Sequence, residues 1–305
     1  MKKRRRRFIE GESNHIYQRT VDGVILFYDK EDFLLFYMIV SVTVKKYNVR
    51  VLQMCLMIDH VHMLAESESL EVLADFVRDY TSIFAKEYNL SVGRSGGLFA
   101  KSFGSAPKKG EKKTRSTIVY IGNNPVEKRL CVHPEDYRWG FLRYIHTRNP
   151  FSVHLSVKQY SRPLSRAIKI VDAVSTAGGY LSYIQLCQMF ATLRDFEKEI
   201  LTDHIISTYY FFDTDGLLSY YDSYEQMILA MRSTTGAEYD IKEVRVTGND
   251  LIYREMCAYL QKELCISPIR SVLSYSTARK LQLVPLLRTH TGATLYEISK
   301  FLHLK

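Results

Sequence analysis

Two histidines, His60 and His62, are separated by a single residue within the apolar segment 56–66. Because side chains alternate between the two faces of a β-strand, both imidazoles are expected to project from the same face. Two neutral imidazoles on one face can share a divalent metal ion. A histidine pair of this spacing is more often only two half-buried polar residues, so a metal site needs support from a second feature.

The second feature is a tyrosine and an amide in the segment 116–130, whose apolar spacing predicts a short helix. Tyr120 and Asn124 lie one turn apart on the same face of that helix. Because proline disfavours a helical conformation in the residue before it, the helix is expected to end or kink near Asn124, ahead of Pro125. Together with the histidines, these groups suit attack of a phenol on a phosphodiester whose oxygens are held by a divalent cation. The pKa of an unperturbed phenol is about 10, so a base or a metal is needed nearby.

Cationic residues flank the predicted helix and could hold the phosphates of a nucleic acid. Five lie within eight residues at its start and one follows it: Lys108, Lys109, Lys112, Lys113, Arg115 and Arg129. Phosphate neutralisation does not depend on base sequence, so these residues predict a loop that binds the DNA backbone. A mobile charged loop without a ligand explains the same composition, and this alternative stays open.

The segments around these residues predict a layer of strands covered by helices. Residues 15–28 and 49–57 are rich in strand-forming residues, and the histidine strand follows the second of them after a turn. Amphipathic helices are expected after Asp29 and after Ser69, which are suitable N-caps. The order strand, helix, two strands, helix, strand predicts an α+β fold with an antiparallel sheet and helices on one face. A ferredoxin-like fold and several other α+β folds share this outline.

The length of 305 residues predicts two domains, 1–150 and 151–305. The boundary is expected near Asn149 and Pro150, because a second Pro-containing segment follows at 161–163 and the composition then changes. From residue 164 onward apolar residues recur at helical spacing. The second domain is therefore expected to be mostly α-helical.

The composition limits the class of protein and its partners. Lysine and arginine number 42 against 33 acidic residues, and the resulting net charge of +9 favours a polyanionic partner such as nucleic acid. The five cysteines form no paired spacing, so neither a disulfide framework nor a zinc knuckle is indicated, and the reduced cytoplasm is the expected compartment. The longest apolar run, 33–44, is shorter than the ~20 residues of a membrane-spanning helix. No membrane partner is expected.

The basic run 2–7 at the start of the chain is followed by Glu10 rather than by apolar residues. This order excludes an ordinary signal peptide. A solvated tail and a clamp on the DNA backbone are the two interpretations of the run.

Five ordered motifs in the first half of the chain resemble those of the REP-associated tyrosine transposases, which belong to the one-tyrosine HUH transposases. They read NHIYQR at 14–19, DHVHML at 59–64, GRSGGLF at 93–99, YIGNNPV at 120–126 and PEDYRW at 134–139. The resemblance implies a ferredoxin-like domain that cuts and joins single-stranded DNA. It also implies that His60 and His62 bind Mg or Mn together with Asn124, and that Tyr120 is the nucleophile.

Three residues depart from the usual pattern of this family. Asp59 stands in place of Asn and Ile58 in place of Pro, which indicates a looser turn before the metal strand. Gly122 stands where His is common. Because glycine within a helix costs about 1 kcal/mol relative to alanine, we interpret this position as flexibility in the nucleophile helix. None of the three replaces a proposed ligand or Tyr120.

The hypothesis is therefore a metal-dependent transposase or endonuclease that forms a 5′-phosphotyrosine and rejoins strands at hairpin or repeat sequences. Its expected partner is single-stranded or hairpin DNA, and the chain acts as a monomer or a homodimer. One alternative is a catalytically silent DNA-binding protein descended from a transposase, which the intact Tyr120 and histidines disfavour. Another is a replication or conjugation nickase of the wider HUH group, which the order of the motifs disfavours.

Two amphipathic stretches near the end of the sequence, 283–290 and 294–304, are separated by Gly292. They are weakly similar to the first two helices of the helix-turn-helix domain that binds duplex DNA in bacterial replication initiators. The sequence stops at Lys305, where that family places its recognition helix. Binding of duplex DNA and a role as a packing or dimerising bundle are both open for this segment.

Overall fold

The computed structural model of the chain describes residues 7–100, 103–234 and 250–304, so most of the basic run 2–7 lies outside it. Its N-terminal part contains a four-stranded antiparallel sheet in the order β2-β3-β1-β4. The strands are β1 (Ser13–Arg19), β2 (Arg50–Leu56), β3 (His60–Glu66) and β4 (Gly104–Lys108). Helix α1 (Lys30–Tyr47) connects β1 to β2, and helix α2 (Leu70–Val92) connects β3 to β4. This arrangement confirms the predicted ferredoxin-like domain.

The rest of the described chain is mostly helical, as predicted. Helix α3 (Glu111–Glu127) follows β4, and the later helices are α4 (Arg162–Thr176), α5 (Tyr183–Ala191), α6 (Asp195–Thr208), α7 (Thr214–Leu218), α8 (Tyr224–Ser233), α9 (Asp250–Lys262), α10 (Thr277–Thr291) and α11 (Leu295–Leu302). No helix of the described residues has both the length and the apolar character needed to span a membrane.

Helix α1 begins and ends where the sequence predicts. The Asp29 N–H donates to the Asp32 carboxylate at 3.1 Å, and Asn48 closes the helix in a left-handed conformation with φ of 50°. The sequence predicts one apolar face, but every residue from Phe33 to Val40 is buried. The reason is that α5 and α6 pack on α1 in addition to α2 and the sheet. Contacts made by the C-terminal helices therefore override the amphipathic pattern.

Helix α3 is longer than its sequence predicts. It begins at Glu111 and passes through Pro125 to Glu127, so of the two expectations for Asn124 the end of the helix is wrong, and the kink stays a prediction. Proline in a helix removes the hydrogen bond from its own nitrogen to the carbonyl four residues earlier. Because Pro125 lies in the last turn, the helix loses that bond close to its end, and the Lys128 N–H still donates to the Asn124 carbonyl at 3.1 Å.

The two faces of the sheet carry different helices. Val61 and Met63 of β3 belong to the core cluster that includes α1 and α2, whereas Leu64 packs in a second cluster with Ile118 and Ile121 of α3. Since residues of equal parity share a face of a strand, His60 and His62 lie on the α3 side with Leu64. The predicted common face of the two histidines thus lies under the helix that bears Tyr120.

A buried ion pair joins the C-terminal helices to α1. Arg270, in a 3-10 helix at Ile269–Ser274, contacts the Asp32 carboxylate, and neither side chain is exposed. The N–H groups of Ile269 and Arg270 each donate to the Asp29 carboxylate at 2.8 Å. The apolar core also continues from the sheet into α11. The boundary at residue 150 stays a prediction, because the described contacts run across it.

The two edge strands of the sheet, β2 and β4, have different neighbours along their outer sides. Along β2, the Asp213 N–H donates to the Val51 carbonyl at 2.9 Å, next to a parallel bridge between Val51 and Phe212. On the opposite side, β4 is short and contains Pro107. The C-terminal part of the chain therefore covers one of the two sheet edges.

Helices α10 and α11 correspond to the two amphipathic stretches near the end of the sequence. They are joined at Gly292, whose φ of 68° places it in the left-handed region that glycine adopts readily. Helix α10 begins at Thr277, several residues before the stretch that predicts it. The pair has the helix order of the expected motif, and its binding to duplex DNA stays a prediction.

Candidate active site

The histidine pair opens strand β3 and is almost fully buried. His60 is 3% exposed and His62 is 2% exposed, and their ring centroids lie 4.9 Å apart with nearly perpendicular planes. Helix α3 packs on β2 and β3 over this face. The structure thus places both predicted metal ligands side by side in an interior that α3 closes.

Each histidine has a partner at Nδ1. Nδ1 of His60 lies 2.5 Å from Oδ1 of Asp59, and Nδ1 of His62 lies 3.1 Å from Nε2 of His15 on β1. Histidines that bind a metal usually donate their second ring N–H to a carboxylate or another acceptor, which fixes the tautomer and the ring. Both partners leave Nε2 as the nitrogen through which each ring would bind a cation. The donor set therefore fits a divalent metal.

The surroundings of the two imidazoles shift their pKa values in opposite directions. Burial alone lowers the pKa of His60, but the charge and hydrogen bond of Asp59 raise it above its usual value. Burial, followed by the neighbouring His60 and His15, holds the pKa of His62 well below its usual range. His62 is therefore neutral near pH 7 and keeps a lone pair to offer a cation.

Tyr120 lies against the histidines in the same chain. Its ring centroid is 5.5 Å from that of His62 and 5.8 Å from that of His15, with the rings edge to face. The tyrosine is half-buried at the middle of α3. The predicted nucleophile and the predicted ligands thus meet without exchange of a helix between subunits.

Asn124 lies one turn after Tyr120 and is 6% exposed. Its Nδ2 donates to the Tyr120 carbonyl at 2.9 Å, and no hydrogen bond to either histidine of the pair occurs among the described residues. One turn further, Lys128 is close enough for its charge to lower the pKa of His62. The face of α3 that carries Tyr120 and Asn124 therefore runs along the histidine pair, although the amide itself is turned to its own helix.

Gly122 allows close contact between α3 and α8, and the interpretation as flexibility is wrong. A Cβ at this position would lie 2.6 Å from Sδ of Met231 and 2.8 Å from its Cε. The next residue, Asn123, donates from Nδ2 to the Met231 carbonyl at 2.7 Å. The glycine leaves space for the end of the Met231 side chain, because the C-terminal part of the chain packs directly on the tyrosine helix.

Two polar residues next to the histidines were not assigned from the sequence. His15 belongs to the first motif, and its strand position opposite β3 is the signal that could have identified it. The sequence indicates only a looser turn at Asp59, but this residue is buried and bound to His60. Its position directly before the histidine strand is the corresponding signal.

A second carboxylate reaches this group from α9. Ligand atoms of Asp59, His60 and Asp250 all lie within 4.8 Å of one another, and Asp250 is 1% exposed. The Ile58 N–H donates to Oδ1 of Asp250 at 3.2 Å. No local pattern in the sequence predicts this contact, because Asp250 is 190 residues from His60.

The predicted DNA-binding cations do not form one loop. Lys108 ends β4 and is buried, Lys109 lies between β4 and α3, and Lys112, Lys113 and Arg115 lie in the first turns of α3, with Arg129 beyond its end. All of these except Lys108 are exposed. Arg115 contacts Glu111 at 3.5 Å and lies over the ring of Tyr221. The charged surface is thus ordered by a helix rather than carried by a mobile loop.

Comparisons with known proteins extend over the same region. Residues 3–124 match the family model for IS200-like transposases. A solved structure of a REP-associated tyrosine transposase bound to a REP hairpin is similar, with 16% identity and a TM-score of 0.41, over 53% of this chain and 96% of that chain. No curated protein matches this chain. The family match includes His60, His62, Tyr120 and Asn124, and it ends before α4.

Proposed function

We propose that this chain, whose residues 3–124 form an IS200-like transposase domain, cleaves and rejoins single-stranded DNA through a covalent bond to Tyr120. The observation that carries the proposal is the contact of Tyr120 with His62 inside one chain. A phenol beside a buried imidazole pair, of which His62 is neutral, is the arrangement that attack on a cation-bound phosphodiester requires.

The reaction exchanges one phosphate ester for another. The Tyr120 oxygen attacks the scissile phosphorus, the bond from phosphorus to the 3′-oxygen breaks, and the departing strand leaves as a 3′-hydroxyl. The phenol proton balances the proton that the leaving oxygen takes up. Attack of a second 3′-hydroxyl on the 5′-phosphotyrosine restores the phenol and joins the strands. Neither water nor a nucleotide cofactor enters the balance.

His60, His62 and Asn124 would hold the cation, which we expect to be Mg or Mn. When bound, the cation polarises the scissile phosphate and stabilises the charge that develops on its oxygens. The protein fixes the imidazoles through Asp59 and His15, so that their Nε2 atoms are directed in advance. Asn124 would have to exchange its bond to the Tyr120 carbonyl for the cation.

The exposed cations at the two ends of α3 are the proposed surface for the DNA strand. Lys109, Lys112, Lys113 and Arg129 bracket the helix that carries Tyr120, so a backbone lying across them passes the phenol. Single-stranded or hairpin DNA is the proposed partner. Duplex binding by α10 and α11, and action as a monomer or homodimer, are further parts of the proposal.

The test is covalent capture of DNA by the full chain. Labelled single-stranded hairpin oligonucleotides are incubated with the protein and Mn, and the products are separated under denaturing conditions. We expect a protein-linked label that is lost in Tyr120→Phe and retained in Tyr180→Phe, a control at another half-buried tyrosine that lies between α4 and α5. An adduct that persists in Tyr120→Phe contradicts the assignment. Tight binding independent of metal, with no adduct, supports the silent DNA-binding protein instead.

A further inference from the structure

Asp250, the first residue of α9, lies outside the family match and yet reaches the histidine strand. One of its oxygens accepts the Ile58 N–H, two residues before His60. The other oxygen, Oδ2, is buried and has no hydrogen-bond partner among the described residues. A buried carboxylate oxygen is costly when nothing compensates it, so such an atom points to a ligand.

A neighbouring negative charge makes the burial of this oxygen still less favourable. Asp59 places a second buried carboxylate beside it, and like charges at this distance oppose each other. Positive charge acts on Asp250 from His60 and from Lys128. Because Asp59 already engages Nδ1 of His60, Nε2 is the ring nitrogen left to bind a cation.

We propose that Asp250 is a ligand of the cation that His60 binds, so that the C-terminal part of the chain completes the metal centre. The ligand atoms of Asp59, His60 and Asp250 lie within 4.8 Å of one another. Ligands bound to Mg at about 2.1 Å lie at most about 4.2 Å apart, so separations below 4.8 Å let Asp250 and His60 share a cation with at most a small inward movement. Asp59 holds the His60 ring and acts as a positioning residue.

A carboxylate ligand also determines which cation the site prefers. Imidazoles alone suit Zn and Ni, whereas carboxylate oxygens suit Mg and Mn. Asp250 therefore gives the site its preference for a hard cation. The inference rests on the proposed function for the reaction that the cation serves, but the binding of the cation is measurable without DNA.

The experiment is titration of the full chain with MnCl2 alone, with free Mn followed by electron paramagnetic resonance. Asp250→Asn keeps an oxygen for the Ile58 N–H and removes the charge. We expect it to weaken Mn binding by at least about tenfold, while Zn binding falls less. Asp59→Asn keeps an acceptor for Nδ1 of His60, and we expect a smaller loss. Circular dichroism confirms that each variant is folded.

Asp195→Asn is the matched control, because it removes the same charge from an exposed surface site. Equal Mn affinity in Asp250→Asn and in the control overturns the inference, as does a wild-type chain that binds no Mn. These outcomes are separate from those of the DNA assay. If Asp250 controls Mn binding but no covalent adduct forms, the proposed function fails and the metal ligand stands.

Discussion

The contact between Gly122 of α3 and Met231 of α8 gives a quantitative prediction of stability. Both residues are buried, and an added Cβ would lie 2.6 Å from the sulfur of Met231. A van der Waals contact of carbon with a heavier atom needs about 3.5 to 4.0 Å, so the overlap is about 1 Å. We expect Gly122→Ala to lower the free energy of unfolding even though alanine favours a helix.

Two opposing terms set the magnitude. Replacing glycine by alanine within a helix gains about 1 kcal/mol, whereas overpacking a filled core costs about 1 to 3 kcal/mol. The overlapping atoms are the end of the Met231 side chain, which is flexible in itself but fully buried here, so the cost is about 2 kcal/mol and the net loss is about 1 kcal/mol. In a Met231→Ala background the overlap is absent, so Gly122→Ala should then be neutral or stabilising by up to about 1 kcal/mol. The coupling energy between the two positions is therefore about 2 kcal/mol.

The assay is urea denaturation of the wild type, the two single variants and the double variant. Trp139, the one tryptophan of the chain, stacks on Phe33 with ring centroids 4.3 Å apart and reports unfolding of the N-terminal part by fluorescence. Met231→Ala serves as the background control, because its own loss of buried side chain cancels in the cycle. The same effect of Gly122→Ala in both backgrounds would refute the reasoning, since it would show that Met231 does not restrict the glycine.

Three further predictions follow from charges in the structure. Burial and the neighbouring Asp32 raise the pKa of Asp29 from 3.8 to about 7, so its stabilising contribution is complete below pH 3.8 and is lost as pH rises through 7. Asp29→Asn should therefore lessen the fall in the free energy of unfolding between these pH values, measured by urea titrations. An unchanged dependence of this free energy on pH contradicts the prediction. Arg270→Met leaves Asp32 buried without its partner and should cost about 3 to 5 kcal/mol, whereas adding Asp32→Asn should restore part of this loss in thermal denaturation. Replacing Lys112 and Lys113 by alanine should reduce the slope of log affinity against log salt for single-stranded DNA by about 0.7 per phosphate contact, measured by fluorescence anisotropy; an equal slope would show that neither contacts a phosphate.

The parts of the fold that local sequence determines are those that it predicts correctly. Helix α1 begins with the hydrogen bond to the Asp32 carboxylate and ends at the left-handed Asn48, so each end is set by groups within a few residues of it. The common face of His60 and His62 follows from the alternation of side chains along a strand, which no distant contact alters. The order of strands and helices gives the outline of the sheet, and the five motifs select the ferredoxin-like fold among several.

The parts that sequence alone does not give depend on residues far apart in the chain. The residues around Gly122 in the sequence are compatible with a flexible helix and with a tightly packed one. Only the position of Met231 in the fold distinguishes these two cases. Asp250 lies near His60 although 190 residues separate them in the sequence, and no periodic pattern of residues predicts such a contact. The sequence underestimates the length of α3 because proline removes only the bond of its own nitrogen, and the Lys128 N–H still donates to the Asn124 carbonyl beyond it.

The unequal cover of the two sheet edges bears on how the chain avoids self-association. An open strand edge is a template for strand addition by another molecule, and a long apolar edge is the most hazardous. Strand β2 is such an edge, with only Arg50 exposed, and the Val51 carbonyl is taken up by the N–H of Asp213. Strand β4 is five residues long and carries Pro107, whose nitrogen cannot donate to an incoming strand. A fragment that ends before residue 212 would expose the more hazardous edge, and we expect it to aggregate at concentrations at which the full chain stays dispersed.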